Sequence, residues 1–202
     1  MSKCYRCDTD GMTREHAPPD SFFPKGCRDN LVTVSPCNEH NTKNSQDVEY
    51  VGNVIVMHIS TNNAARSHFH GKVLRPFTRS EKLFLRTFKD VKTMIFDGKE
   101  TGIFTLDMSR FNQVMDSIAR AVYYKNFDRS YAGRRGIFAS SLVSNEALFQ
   151  DKRDDTIEYR RLLQQLRFTQ VPTPQPRIFR FAVNTLDEEQ FKGVQPTASS
   201  SG

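Results

Sequence analysis

Two pairs of metal-binding side chains constrain the first forty residues of this chain. Cys4 pairs with Cys7 and Cys37 pairs with His40, with two residues between the members of each pair. This spacing allows both members of a pair to reach one tetrahedral zinc ion at about 2.0–2.3 Å. The pattern therefore predicts a structural zinc site of three thiolates and one imidazole, rather than unrelated cysteines and a surface histidine. Cys27 has no partner at this spacing; it is interpreted as a buried or free thiol, with replacement of His40 as the alternative.

Composition limits which classes of protein this chain can belong to. The 202 residues are 37% hydrophobic and include sixteen Phe, which is enough apolar material for a packed core. The net charge of +6 fits a polyanionic partner, although ordinary solubility charge explains it equally well. No apolar run approaches the roughly 20 residues that span a bilayer, and the start of the chain does not resemble a secretory signal. We expect a cytoplasmic protein with no membrane partner.

The hydrophobic pattern predicts an α+β fold with three regions. Residues 1–50 form a small zinc-stapled module, in which few side chains are apolar. Residues 51–170 form a mainly helical, basic region with one short hairpin. Residues 171–202 contain a Pro-rich connection, a possible strand from Ile178 to Val183 and a polar tail after Gly193 that we expect to be disordered.

Periodicity predicts the individual elements of the helical region. One helix begins at Ser45, and a second is started by a capping box of Thr78 and Glu81 whose apolar face includes Phe88 and Val91. The strongest pattern predicts a helix over 109–127, and another is predicted over 154–168. The predicted hairpin pairs 94–96 with 102–106 around a short loop that contains Asp-Gly.

Further polar side chains lie between and after the zinc pairs. Glu15 and His16 are adjacent, and an imidazole beside a carboxylate is a common arrangement for activating water next to a metal ion. A single histidine is more often structural. The order along the chain is Cys-x-x-Cys, Glu-His-x-Pro-Pro, Phe-Phe-Pro-Lys-Gly, Asn-Leu-Val-Thr-Val and Cys-x-x-His-Asn. Over about residues 4–50 this order resembles the HNH endonuclease family, especially its zinc-stapled bacterial members.

The resemblance implies a role for each matching residue. His16 matches the general base, and Glu15 matches the acidic ligand of the catalytic ion. Asn30 matches the central Asn that holds the loop orienting the base. Asn41 matches the second ligand of that ion, and Asn44 is a further candidate ligand. The implied fold is ββα-metal: a hairpin that carries His16, then a helix that begins near Cys37 and carries Asn41.

The resemblance also implies cofactors, substrate and activity. The cofactors are structural Zn and catalytic Mg or Mn, and the reaction is hydrolysis of phosphodiester bonds in DNA, with RNA left open. Nicking and double-strand cutting are both open, as are a homodimer, an inhibitory or activating protein partner, and a defence or toxin-type role. This sequence departs from the commoner family pattern at three positions, with Glu at 15, His at 40 and Asn at 41.

The basic residues downstream are candidates for binding the nucleic acid, because cations on one surface neutralise phosphates. Solvated helix faces explain them equally well. The candidates are Arg75, Arg79, Lys82, Arg86, Lys89, Arg129, Arg134 and Arg135. The alternative to an enzyme is a non-catalytic zinc-knuckle module that binds nucleic acid or a protein. That alternative needs only the zinc ligands and leaves His16 and Asn30 unexplained.

Overall fold

The computed structural model describes residues 2–7, 9–42, 45–58, 63–96, 98–133, 169–171, 173, 175 and 178–183. The fold is α+β, as predicted. The chain divides into two compact units, Met1–Phe138 and Ala139–Gly202, and each is described by itself. The predicted helix over 154–168 and the tail after Gly193 lie outside the described residues, as do the candidate site residues Asn44, Arg134 and Arg135.

The first unit begins with the predicted ββα arrangement. Strand β1 (Glu15–His16) pairs antiparallel with β2 (Thr33–Val34), with Glu15 opposite Val34 and His16 opposite Thr33. Helix α1 (Asn38–Thr42) follows directly. The backbone N–H of Ala17 donates to the Val32 carbonyl oxygen at 2.9 Å and extends the short ladder. The hairpin therefore carries His16 and the helix carries Asn41, as the resemblance implies.

A mainly helical region follows. Helix α2 (Ser45–Met57) begins at the predicted residue. Helix α3 (Asn63–His68) continues through a π-helical turn (Phe69–Val73) into α4 (Leu74–Arg79), and α5 (Glu81–Thr87) follows after one residue. The long helix α6 (Met108–Phe127) matches the strongest periodic pattern of the sequence. Its N-cap is Asp107, which accepts a hydrogen bond from the Arg110 backbone N–H at 3.2 Å.

The predicted capping box is wrong by two residues. Ser80 caps α5, because its hydroxyl oxygen accepts the Leu83 N–H at 3.2 Å and its backbone is extended. Thr78 lies inside α4, where its hydroxyl donates to the Arg75 carbonyl oxygen. Phe88 ends α5 with an extended backbone, so Phe88 and Val91 do not belong to the helical face.

The hairpin is present and longer than predicted. Strands β3 (Lys89–Phe96) and β4 (Lys99–Thr105) pair antiparallel, with Phe96 opposite Lys99. Gly98 in the connection has φ 70°, a conformation that glycine adopts without steric cost. The strand register shifts between Lys89 and Lys92, which sets an irregularity near the start of β3.

The core of the first unit joins the zinc-stapled segment to α6. Tyr5, Ala17, Val34 and Ala121 form a buried cluster, and Tyr124 packs against it. The apolar stripe of α6 is buried as its periodicity predicts, through Phe111, Val114, Ile118 and Val122. A second apolar group surrounds the buried Phe88, whose ring lies 4.5–5.9 Å between centroids from Phe104, Phe84, Phe77 and Tyr50.

In the second unit, β5 (Thr169–Val171) pairs antiparallel with β6 (Phe181–Val183). The strand predicted from Ile178 is therefore shorter, because the backbone from Ile178 to Phe179 makes a turn back to Gln175. Among the helices of the described residues, none combines the length and the apolar character needed to cross a bilayer.

Candidate metal centre and adjoining cleft

The four predicted zinc ligands converge. One ligand atom from each of Cys4, Cys7, Cys37 and His40 lies within 4.8 Å of the others. His40 Nδ1 lies 3.5 Å from Cys4 Sγ, 3.6 Å from Cys7 Sγ and 3.2 Å from Cys37 Sγ. The Sγ atoms of Cys7 and Cys37 are 3.9 Å apart. Cys27 is not a member of this group, which agrees with its interpretation as a separate thiol.

These separations fit a tetrahedral zinc site. With Zn–S bonds of about 2.3 Å and Zn–N bonds of about 2.0–2.1 Å, tetrahedral angles place sulfur atoms about 3.8 Å apart and sulfur about 3.6 Å from nitrogen. The observed distances of 3.9 Å and 3.2–3.6 Å lie close to those values. Three cysteine sulfurs and one imidazole nitrogen thus form a compact Cys₃His site that is compatible with structural zinc.

The backbone around the site favours the thiolate that zinc requires. A hydrogen bond from the His40 backbone lowers the pKa of the Cys37 thiol to about 6. Burial acts in the opposite direction on Cys4 and raises its pKa. A bound cation would offset that cost, because a coordinating thiol is deprotonated by the metal.

The two residues between Cys4 and Cys7 connect the metal centre to the rest of the unit. Tyr5 is 1% exposed, and its hydroxyl donates to Glu15 Oε2 at 3.4 Å. Arg6 donates to Ser117 Oγ at 3.0 Å and to Asp116 Oδ2 at 3.3 Å. Neither contact of Arg6 could be predicted from local sequence patterns, because its partners on α6 lie more than a hundred positions away.

A further cation completes the network on α6. Arg120 Nε donates to Asp116 Oδ2 at 3.1 Å, and Arg120 Nη1 donates to the Tyr131 carbonyl oxygen at 2.7 Å. Asp116 is buried and lies between two guanidinium groups, those of Arg6 and Arg120. The Asp116 carboxylate therefore accepts hydrogen bonds from two cations. Through Arg6, these bonds connect the Cys4–Cys7 pair to α6.

His16 lies in a defined hydrogen-bonding environment on β1. Its Nδ1 is 3.3 Å from Thr33 Oγ1, and the Thr33 hydroxyl donates to the Leu31 carbonyl oxygen at 3.1 Å. A hydroxyl has one proton, so Thr33 accepts from His16 Nδ1–H. This contact places a proton on Nδ1, so that in the neutral imidazole the lone pair lies on Nε2. Sequence reasoning did not identify Thr33 as a partner of His16.

Glu15 and Asn41 line the same cleft, which has a volume of about 990 Å³. Glu15 is partly buried, and burial raises the pKa of its carboxyl group. Ser45, at the start of α2, lines the same cleft. The two predicted ligands of a catalytic ion are therefore brought to one cavity, although they are separated by 26 positions in the chain.

Two other predicted catalytic residues have different surroundings. His16 is not among the residues that line the large cleft; it lines a small adjoining cavity of about 10 Å³ together with Glu15. Asn30 is exposed in the turn before β2, with φ 58°, a conformation that Asn tolerates better than most residues. The structure thus places Asn30 outside both cavities.

The predicted nucleic-acid-binding cations are distributed unevenly. Arg75, Arg79, Lys82, Arg86 and Lys89 are exposed along α4, α5 and the start of β3, and of these only Arg86 lines the cleft. Arg129 is also exposed, and its Nε donates to the Tyr123 hydroxyl at 3.2 Å.

The cleft also contains basic residues that were not among those candidates. His68 and Lys72 line it from the end of α3 and the π-helical turn, and burial lowers the pKa of His68, with a smaller contribution from the Lys72 cation. Arg110 lines it too, but its guanidinium is held by Asp47 at 2.6 Å and lies 4.2 Å from the centre of the Tyr50 ring.

Comparison of the chain with protein-family models, with curated proteins and with solved structures finds no match. The metal centre, the cleft and the residues that line them are therefore the features from which a function can be inferred.

Proposed function

We propose that this chain is a metal-dependent HNH-type endonuclease that hydrolyses phosphodiester bonds in DNA. The observation that carries the proposal is the shared cleft of Glu15 and Asn41, with His16 next to Glu15 on the same strand. A carboxylate, an amide oxygen and an adjacent imidazole are the groups that metal-assisted hydrolysis requires.

The residues of the cleft fit a hard divalent cation. The Glu15 carboxylate and the Asn41 side-chain oxygen are oxygen ligands of the kind that Mg²⁺ and Mn²⁺ accept. Such an ion, when bound, stabilises negative charge on the phosphate and on the leaving oxygen. Burial raises the pKa of Glu15 in the metal-free protein, and a bound cation would favour its carboxylate form.

His16 is the proton acceptor in this proposal. In the neutral ring, Nε2 accepts the proton of the attacking water, while Nδ1–H donates to Thr33 and fixes the ring. The zinc centre has no chemical role. It stabilises the segment from which β1 and α1 are built, and Tyr5 and Arg6 connect it to Glu15 and to α6.

A plasmid-nicking assay with Mg²⁺ or Mn²⁺ tests the proposal. The zinc-loaded wild type is expected to cut, and His16→Ala is expected to cut about 10²–10⁴ times more slowly, the usual contribution of a general base. His70→Ala is the matched control, because His70 is exposed and does not line the cleft. Both variants should retain zinc.

The same gels separate the alternatives. Conversion of supercoiled plasmid to open circles indicates nicking, and conversion to linear DNA indicates double-strand cutting, for which a symmetric dimer is the natural assembly. If the zinc-loaded wild type leaves plasmid, linear DNA, single-stranded DNA and RNA intact, the enzyme proposal fails. A non-catalytic zinc-knuckle module, which binds without cutting, would then be the better description. A defence or toxin-type role is a separate proposal about the same chemistry.

A further inference from the structure

One part of the cleft wall combines cations with apolar side chains. It is formed by the π-helical turn, α4 and α5, and we call it the helical wall; it includes Lys72, Val73, Pro76, Phe77, Leu83 and Arg86. Glu15, Asp20, Asn41 and Glu49 line the cleft from other elements. The acidic residues and the helical wall are thus supplied by separate segments of the chain.

The two cations of the helical wall are available to a ligand. Lys72 and Arg86 are exposed, and neither makes an ion pair within the part of the chain that the structure describes. Arg110, by contrast, is occupied by Asp47, and Asp20 is occupied by Arg28 at 3.2 Å. A phosphate that enters the cleft therefore meets two uncompensated positive charges on the helical wall.

Phe77 supplies an aromatic surface on the same wall. Its ring packs edge-on against Phe84 and Phe88, with centroid distances of 5.5 and 5.7 Å, and the side chain remains partly exposed. Bases of a duplex hide their faces in the stack and offer mainly phosphates to a shallow surface. An unpaired strand offers both phosphates and base faces, which match cations and an aromatic ring together.

We propose that the helical wall binds an unpaired nucleic-acid strand, with its phosphates on Lys72 and Arg86 and a base against Phe77. The inference rests on the proposed function and deepens it, since it names a single-stranded or locally opened substrate. A strand held in this way passes through the cavity that Glu15 and Asn41 line.

Binding is measured separately from cutting. Full-length, zinc-loaded protein with His16→Ala is titrated into a fluorescein-labelled single-stranded DNA oligonucleotide without added Mg²⁺ or Mn²⁺, and anisotropy gives Kd at several salt concentrations. Each lost phosphate contact lowers the slope of log K against log salt by about 0.7 for a single strand. We expect Lys72→Gln with Arg86→Gln to reduce the slope by about 1.4.

The charge-matched control is Arg75→Gln with Lys82→Gln, which removes two exposed cations of α4 and α5 that do not line the cleft. This pair should change the slope by less than half as much. An equal effect of both pairs, or no effect of either, would overturn the inference, because binding would then be diffuse or located elsewhere. Circular dichroism of both pairs checks that the fold is retained.

The base contact is tested with Phe77→Leu, which keeps an apolar side chain against Phe84 and Phe88. Single-strand affinity should fall at least about fivefold, the lower end of what one stacked base contributes, while duplex affinity stays unchanged. Phe104→Leu is the control, because Phe104 packs on Phe88 without lining the cleft. The proposal would be refuted if the His16→Ala protein without further substitutions bound a duplex of the same sequence more tightly than the single strand.

The outcomes separate this inference from the proposed function. Single-strand binding that depends on Lys72, Arg86 and Phe77, in a protein that never cuts, would contradict only the nuclease proposal. If cutting depends on His16 but substitution of those three residues leaves single-strand binding unchanged, only the present inference is contradicted. An RNA oligonucleotide of the same sequence shows which sugar the wall prefers.

Discussion

The buried carboxylate of Asp116 provides the sharpest test of how the zinc-stapled segment is held in place. Asp116→Ala removes the group that accepts hydrogen bonds from Arg6 at 3.3 Å and from Arg120 at 3.1 Å. The side chains of the three residues are 17%, 11% and 12% exposed for Arg6, Asp116 and Arg120 respectively. Both guanidinium groups would remain largely buried, close to each other and without their shared anion.

The expected loss follows from that burial. Removal of one partner from a buried ion pair costs about 3–5 kcal/mol, because the remaining charge is left desolvated. Arg6 retains its hydrogen bond to Ser117, and Arg120 retains that to the Tyr131 carbonyl oxygen. Because these bonds remain, we expect a loss at the lower end of that range, about 3 kcal/mol. For a chain of this length, the same loss lowers Tm by about 6–12 °C.

Urea unfolding of zinc-loaded, full-length protein measures this loss, with tyrosine fluorescence and circular dichroism as independent probes. Asp10→Ala is the control: it breaks the Lys3–Asp10 pair, whose side chains are 59% and 56% exposed, and stability should not change measurably. If Asp116→Ala costs less than about 1 kcal/mol, the network behaves like a surface pair and the argument for its connecting role fails.

Three further predictions concern the Cys₃His centre and the proposed catalytic site. Elemental analysis should find about one zinc per chain, lost in Cys37→Ser and retained in Cys27→Ser; retention in both would refute the assigned ligand set. Thr33→Val should lower kcat about tenfold or more with little change in KM, because the Thr33 hydroxyl fixes the His16 tautomer. Thr33→Ser should restore kcat. If Thr33→Val and the wild type cut at equal rates, Thr33 does not have this role. Tyr5→Phe should keep zinc but raise the Mn²⁺ concentration for half-maximal nicking about fivefold, the value of one hydrogen bond to the carboxylate on β1; an unchanged Mn²⁺ dependence would contradict it.

Local patterns in the sequence predicted the parts of the structure that depend on neighbouring residues. The two-residue spacing of each metal pair predicted which four side chains converge, because a knuckle is built within a few positions of the chain. The stripe over 109–127 predicted α6 and its buried face, since helical periodicity is a local property. The start of α2 at Ser45 followed from the same reasoning.

Contacts between distant segments were not accessible in this way. Periodicity shows which face of α6 is buried but not its partner, so the contact of Arg6 with Asp116 had no signal in the sequence. The shift of the cap from Thr78 to Ser80 has a local cause: Ser80 is also a good N-cap, and only backbone geometry chooses between two candidates that lie two positions apart. Charge alone made Arg75 and Arg86 equal candidates for binding nucleic acid, whereas of these two only Arg86 lines the cleft.

The packing of α6 against the β1–β2 hairpin limits how the first fifty residues can be reused. Tyr5, Ala17 and Val34 share their buried cluster with Ala121, which lies more than seventy positions beyond α1. A fragment that ended at residue 50 would expose this cluster to water and leave Arg6 without its carboxylate. Transfer of the segment to another protein, or its expression alone, would therefore require the chain through Phe127, so that the segment and the helices beside it are inherited as one piece.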